Sequence, residues 1–285
     1  MNPTKHESQP PRNTANPKPG SIACVGLGMT LGSHLTPLAR SHIEQSDVVF
    51  AALSDGIVEK WLEHMHPDVR SLQPYYGKGD KSRMTTYREW VDVMMADVRA
   101  GKKVCAVFYG HPGIFAWSPH EVIKVARSEG YPAHMEPGIS AEDCLYADLG
   151  IDPGRLGCQH YEASQLLFFD TPLNNQAYLV LWQAGLVGDQ SLKRFSTGPA
   201  YRRVLVDVLE NDYPLDHEVI VYRAATLPIE QPRIRVMMLG EMPDNEITAE
   251  ETVVIPPVTK RRRNDRIRQR LALLDQAQAG ESDPN

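Results

Sequence analysis

The sequence has little of what would take it outside ordinary globular proteins. No apolar run approaches the roughly 20 residues that a membrane span needs. The first twenty residues, MNPTKHESQPPRNTANPKPG, lack the apolar segment of a secretory signal, so residues 1–20 read as a disordered leader and the protein as cytoplasmic. Only four cysteines occur in 285 residues, Cys24, Cys105, Cys144 and Cys158, at no metal-ligand spacing, and a chain of this length needs no disulfide staples. They read as buried reduced thiols. The ten histidines likewise show no ligand spacing, and no metal is expected. Positive charge is short: a net charge of -6 argues against general nucleic-acid binding, which wants a basic surface. The basic residues that do cluster, KRRRNDRIRQR near the C-terminus, read as a solvated helix face or a contact surface for an acidic partner. The third glycine of a dinucleotide fingerprint is also missing. VGLGMTLG supplies Gly26, Gly28 and Gly32, but position 31 is leucine, which disfavours a nicotinamide or flavin cofactor.

What is present is an alternation of apolar runs and amphipathic segments. SIACVGL and DVVFAAL are short apolar runs, separated by a helical stretch that begins near Thr36, with Pro37 behind a capping threonine. TTYREWVDVMMADVRAG carries apolar residues at helical spacing and stops on Gly101, and KVCAVFYG follows as a strand. SPHEVIKVARSEGY then reads as a helix and PAHMEPG as a short extended piece. Such alternation predicts a parallel sheet with helices on both faces over residues 21–157. Beyond it, LLFFD, AYLVLWQAG, EVIVYRAAT and RIRVMML are strand-like, with one helix at about residues 198–211. This predicts a second α/β lobe with an antiparallel or mixed sheet over residues 158–258. Residues 259–285 form a basic polar tail in which RIRQRLALLDQAQ is a possible helix.

Three stretches can carry chemistry. In YGHPGIF, Gly110 and Gly113 leave backbone groups uncovered and Pro112 fixes the turn, at the carboxyl end of a strand where open α/β sheets bind ligands. A structural turn is the alternative, and His111 takes a structural or ligand-contacting role rather than that of a base. In PGISAED, Ser140 is a helix cap or a ligand contact, with Glu142 and Asp143 in the first turn. In PYYGKGDKSRMTTYREW, Arg83 and Tyr87 are four apart and share a helix face if the helix has begun. A guanidinium beside a phenol favours the phenolate and makes it a usable base; the alternative is a set of solvated surface groups.

Taken together, VGLG, YGHPGIF and PGISAEDCLYADLG resemble the tetrapyrrole (corrin/porphyrin) methylase superfamily, whose two α/β lobes hold S-adenosylmethionine between them. YYGKGDKSRMTTYREW, FYGHPGIFAWSPH and GISAEDCLYADLGIDPGRLGCQHYEASQLL narrow the resemblance to the borosin methyltransferases, which methylate backbone amides of ribosomally made peptides. The resemblance covers about residues 20 to 258. It implies the two-lobed methylase fold, with S-adenosylmethionine contacts at Tyr109, His111, Ile114, Ser140, Ala141, Gln183 and Ala224. It implies catalytic roles for Arg83 and Tyr87, with Tyr75 or Tyr76 as a further aromatic. Where many superfamily members carry Gly-Thr-Leu late in the second lobe, this chain has Met-Met-Leu. Fungal members carry their substrate as a C-terminal extension with an apolar core; NDRIRQRLALLDQAQAGESDPN has no such core, which implies a separate precursor peptide. An intertwined homodimer is a further implication. Two rival readings remain, a methyltransferase acting on a tetrapyrrole or another small molecule, and a silent S-adenosylmethionine-binding scaffold that recognises a peptide without modifying it.

Overall fold

The computed structural model describes residues 20–53, 55–77, 81–260 and 263–281. The expected leader therefore lies outside the described residues except for Gly20, as does part of the loop before Ser82. The chain forms two compact units. The first runs to Ile151 and adds Gly188–Thr197 and Tyr222–Ile234; the second comprises Asp152–Val187, Gly198–Val221 and the chain from Arg235.

The first unit alternates strictly at first: β1 (Ser21–Gly26), α1 (Pro37–Glu44), β2 (Val48–Ala52), α2 (Gly56–Glu63) and β3 (Val69–Ser71). It continues through α3 (Arg83–Arg99), β4 (Lys103–Phe108), α4 (Trp117–Ser128), β5 (Ala133–Glu136) and α5 (Ala141–Leu149). The five strands lie in the order β3-β2-β4-β1-β5, and the pairs β2–β3, β2–β4, β1–β4 and β1–β5 are all parallel. Both faces are covered. Ile22, Cys24, Val104 and Ala106 pack with α3 and α4, whereas Ala23, Val25, Cys105 and Val107 pack with α1 and Leu62 of α2. Near-continuous apolar strands follow from burial on two faces.

Local chemistry sets the helix starts. Thr36 caps α1 by accepting from the Ala39 amide at 3.1 Å, with Pro37 in the first turn. Ser82 accepts from the Met84 amide at 3.2 Å and starts α3 at Arg83, whose Thr86, Trp90, Met94 and Val98 form a buried stripe at a spacing of four. The segment Tyr222–Ile234 is tied into this unit by Tyr222, whose hydroxyl donates to Asp148 Oδ2 at 2.7 Å, and by the Leu31 amide, which donates to the Thr226 carbonyl at 2.9 Å.

The second unit holds α6 (Pro153–Leu156), β6 (Cys158–Glu162), α7 (Gln165–Phe168), β7 (Tyr178–Trp182) and α8 (Pro199–Leu209). The chain then forms β8 (Glu218–Arg223), β9 (Arg233–Met238), β10 (Thr252–Ile255) and α9 (Asp265–Glu281). The second sheet has the order β6-β7-β10-β8-β9 and is mixed: β6 pairs with β7 parallel, and β10 pairs with β7 antiparallel. The LLFFD run, read as a strand, is instead the short helix α7, because the Leu167 and Phe168 amides both turn back to the Ser164 carbonyl. Strands β3, β6 and β10 and helix α2 carried too little pattern in their three to eight residues to be picked out. Cys24 and Cys105 are buried, Cys144 and Cys158 only partly so, and burial pushes the Cys105 thiol up to about 12. Among the described residues no helix is long and apolar enough to cross a membrane.

Candidate active site

The connections that leave the parallel neighbours β1 and β4 run to opposite sides of the sheet, β1 to β2 and β4 to β5, a switch point of the kind at which open α/β sheets take their ligands beyond the strand carboxyl ends. Three loops leave there, after Gly26, Phe108 and Glu136. Their backbones touch. Gly28 and Gly110 form a two-bond antiparallel bridge at 3.2 and 2.9 Å. A Cβ on Gly26 or Gly138 would come within 2.2 or 2.3 Å of the Gly110 carbonyl oxygen, so only glycine lets these loops meet. The VGLG loop is thereby committed to protein: Gly28 bridges Gly110, Thr30 Oγ1 donates to the Ala225 carbonyl at 3.2 Å, and Leu31 is bound to Thr226. Ala224, one residue before that tie, is buried.

The loop after β4 carries three of the expected contacts. His111 closes its own turn, its Nδ1 accepting from the Gly113 amide at 2.9 Å, while His120 Nε2 donates to the Gly113 carbonyl. Tyr109 stands out at 62% exposed, and Ile114 is half-buried. Phe115 is held at a φ of 49°, an uncommon conformation for a non-glycine residue, which tends to persist only where surrounding structure enforces it. Ser140 spends its side chain on a capping box: it accepts from the Asp143 amide at 3.2 Å and donates to Asp143 Oδ2 at 2.7 Å, and Asp143 Oδ2 also accepts from the Ser140 amide. Any contact it makes to a ligand is shared with this role. Ala141 opens α5 behind it. Gln183 lies in the second unit, at the end of β7, and its φ of 57° marks a second enforced backbone.

The catalytic candidates come together at the start of α3. Arg83 is its first residue, Tyr87 lies one turn on and Trp90 follows. Tyr76 stands edge-on to Tyr87, Trp90 and Phe195, with ring centroids 6.4, 5.4 and 5.6 Å away. Among the described residues the Tyr75 ring has no recorded contact with this group; its carbonyl accepts from Lys81 and Thr86. The Arg83 guanidinium lies 5.9 Å from the centre of the Phe195 ring and 3.4 Å from Asp189 Oδ2, and it donates to the Arg194 carbonyl. Among the described residues these are the recorded partners of the guanidinium, and Tyr87 is not one of them: its ring lies against Tyr76 and Trp90.

Asp189 is 2% exposed and Arg83 12%. Burial pushes the Asp189 carboxyl up, but the Ser191 hydroxyl at 2.5 Å, the amides of Arg194 and Ser191, and Arg83 outweigh it and hold the group below the usual carboxylate range. Tyr76 is shifted the other way. Burial first, then the charge of and hydrogen bond to Tyr87, and then Tyr109, raise its phenol well above the ordinary value, against a smaller opposing pull from Arg83. Tyr76 therefore stays protonated at neutral pH, a donor rather than a base. Asp189, Phe195 and Trp90 are the residues that sequence reasoning missed. The Asx turn of GDQS was a local signal for Asp189, but nothing local joins it to Arg83.

A doubly wound parallel unit with its candidate site at the strand ends, followed by a mixed sheet, is the architecture of tetrapyrrole methylases. It matches the solved structures of a cobalt precorrin-4 methyltransferase (TM-score 0.58, 17% identity, 83% of this chain and 94% of that one) and of the uroporphyrin-III-C-methyltransferase from Thermus thermophilus (0.59, 18%, 84% and 93%). The chain belongs to the Tetrapyrrole (Corrin/Porphyrin) Methylases, whose family model matches residues 21–243. Among curated proteins it is 41% identical over 251 residues to cmaMA of Coprinopsis marcescibilis, a methyltransferase/ribosomally synthesized type I borosin cyclic peptide precursor, covering 86% of this chain and 64% of that one. To ophMA of Omphalotus olearius, the methyltransferase/ribosomally synthesized cyclic peptide omphalotin A precursor, it is 38% identical over 265 residues, covering 92% and 63%. To the type III borosin precursor aboMAa of Anomoporia bombycina it is 39% identical, covering 84% of this chain and 28% of that one. The chain thus spans less than two thirds of the length of these relatives.

Proposed function

We propose that the protein is an S-adenosylmethionine-dependent methyltransferase that methylates backbone amide nitrogens of a ribosomally made peptide. The observation that carries this reading is the joining of Tyr76, Tyr87, Arg83 and Asp189 into one cluster, with Tyr109 of the loop after β4 acting on Tyr76, in a chain whose relatives are named as methyltransferase and ribosomally synthesized peptide precursor together.

The residues suit the cofactor. Its sulfonium is cationic and its adenine flat, and both favour aromatic faces over charged side chains. Tyr109 offers an exposed ring, Ile114 an apolar side chain, and the guanidinium beside the cluster is neutralised by Asp189. Tyr109, His111, Ile114, Ala141, Gln183 and Ala224 are the residues proposed to hold it, Ser140 taking part through a side chain already engaged in capping. When bound, the cofactor supplies an electrophilic methyl group.

The protein must solve the other half. An amide nitrogen is a poor nucleophile because its lone pair is delocalised into the carbonyl. Removing its proton moves charge to oxygen, as an imidate. Tyr87 relays that proton, taking it on its oxygen as its own hydroxyl proton passes on towards solvent. Tyr76, protonated at neutral pH, donates to the carbonyl oxygen as charge grows there, and Arg83, oriented by Asp189, adds positive potential. Burial of Trp90 and Asp189, and of most of Arg83, strengthens these effects by excluding water, and holding two sluggish partners together supplies much of the remaining rate.

The segment after β10 is the arginine-rich helix α9, which does not resemble an apolar core peptide. A separate precursor as substrate and a homodimer as the assembly are part of this proposal. The test is to incubate the purified chain with S-adenosylmethionine and a candidate precursor supplied as a separate molecule. Stepwise gains of one methyl, localised by fragmentation to backbone amides and absent with Arg83→Ala, are the expected result. An unchanged peptide mass despite cofactor binding would refute peptide methylation and turn the search to small-molecule acceptors.

A further inference from the structure

Spacing along the chain gave no metal site, but spacing is blind to what a fold brings together. His134 and Glu136 are two apart on β5, so their side chains leave the same face of the sheet. Ala23, the register partner of His134, packs on that face against Ala39 and Ile43 of α1. His42, in the last turn of α1, reaches the same point. His42 Nε2 lies 3.4 Å from His134 Nε2 and 3.7 Å from Glu136 Oε1, and His134 Nε2 lies 3.4 Å from the same oxygen. Three donor atoms from a helix end and an edge strand thus form a nearly equilateral triangle.

The size of the triangle is informative. Zinc holds imidazole nitrogen and carboxylate oxygen at about 2.0–2.2 Å in a tetrahedron, which separates neighbouring donors by about 3.3–3.6 Å. Octahedral magnesium, at about 2.0–2.1 Å, would require about 2.9 Å, and magnesium and calcium prefer oxygen to nitrogen. Without an ion, the two Nε2 atoms share at most one hydrogen across 3.4 Å, which is long for a hydrogen bond. His42 and Glu136 are 19% and 21% exposed and His134 is 47% exposed, so a fourth, water-filled position is open to solvent.

We infer that His42, His134 and Glu136 form a three-ligand site for a divalent transition ion of the zinc class, completed by water. A bound ion would tie the end of α1 to the edge strand β5, two residues before Gly138 and four before Ser140, and so brace the strand from which that site loop departs. The positive charge of Lys103, felt at His42, opposes the ion and argues for moderate affinity. The inference stands apart from the methyl-transfer reading.

Cobalt(II) and zinc alone are suitable probes, on the full chain freed of any affinity tag and stripped with chelator. The expected result is saturable binding of one cobalt with the visible bands of four-coordinate geometry, displaced by zinc, together with a zinc-dependent rise in melting temperature. His134→Ala and Glu136→Gln should each weaken binding at least about tenfold, since even partners behind metal ligands are worth about 10–100-fold. His64→Ala, at an exposed histidine elsewhere, should leave binding unchanged. Melting curves of the metal-free variants establish that they fold, and if His134→Ala does not, Glu136→Gln decides. Bands that persist in the folded variants, a six-coordinate spectrum, or no saturable binding by the wild type would each overturn the site.

Discussion

At the carboxyl ends of β1, β4 and β5 the protein is held together by main chain, whereas around Arg83 it is held together by side chains from distant segments. Gly26, Gly110 and Gly138 meet because none has a Cβ, and the bonds between their loops run between backbone groups. Arg83 and Asp189 are 106 positions apart and are joined by a charge, with Tyr76, Phe195 and Trp90 filling the space beside them. The first region can hold a ligand by shape while tolerating many side-chain changes. The second depends on the identity of a few groups, because a proton acceptor, a donor and a cation are not interchangeable. On the proposed function, binding and chemistry fall on different regions, and mutations should separate them.

The largest expected effect tests the side-chain region alone. Tyr87→Phe should lower methylation by at least about 100-fold, the usual scale for losing a positioned proton acceptor, while cofactor affinity stays as in the wild type. Equal loss of both would break the separation. Tyr76→Phe should also lower turnover, and Tyr75→Phe should not, because among the described residues it is the Tyr76 ring that stands in the cluster. Asp189→Asn comes next. It leaves Arg83 partly buried without its counter-charge, which should cost about 3 kcal/mol of stability and lower kcat more than the KM for peptide. Its pH dependence follows from the direction of the shift. Because the folded carboxyl titrates below the ordinary value of about 3.9, its contribution is fully present above that value. The stability gap between wild type and variant should be flat from about pH 5 to 8 and close only as the pH falls through the folded value. A gap that closed near neutrality would mean that Asp189 is not held by these partners.

The backbone region should respond in the opposite sense. Gly138→Ala places a methyl group 2.3 Å from the Gly110 carbonyl oxygen and 2.9 Å from the Gly26 Cα, so the loops must part. Overpacking of this kind costs about 1–3 kcal/mol. Calorimetry should show weaker cofactor binding, and turnover at saturating cofactor should fall much less than in Tyr87→Phe. A kcat effect as large as that of Tyr87→Phe would show that the strand-end loops also position the reacting groups.

The same contrast explains what could be read from the sequence. The parallel sheet was legible because apolar runs and helix-period stripes such as Thr86, Trp90, Met94 and Val98 are local patterns. YGHPG was legible because two glycines around a proline cannot continue a strand. The role of Asp189 was hidden, since GDQS reads only as a turn and its partner lies in another part of the chain. His42 escaped for the same reason, 92 positions from His134. Short elements failed differently: β3 has three residues, too few to show a period, and α7 has the apolar composition of a strand. Glycines that serve backbone contact also look the same in sequence as glycines that face a ligand, so Gly28 told nothing until its bridge to Gly110 was seen.

The smallest effect should come from a segment that belongs to neither region. Helix α9 exposes Leu271, Leu273 and Leu274 at 53%, 66% and 54%, and among the described residues the buried core of the second unit reaches Ile255, with Val258 packed against it. A helix that buries so little apolar surface contributes little to folding. Deleting residues 260–285 should therefore change stability by no more than about 0.5 kcal/mol, as judged by denaturant midpoint at unchanged m-value. Cofactor affinity should be unchanged as well, because no residue proposed to hold the cofactor lies beyond Ala224. If the truncated chain instead failed to fold, α9 would have to complete a core that the exposed leucines do not reveal. If only the KM for peptide rose, its arginines would become the docking surface for an acidic substrate segment, and the contrast between binding by backbone and chemistry by side chain would gain a third region, one that recruits by charge.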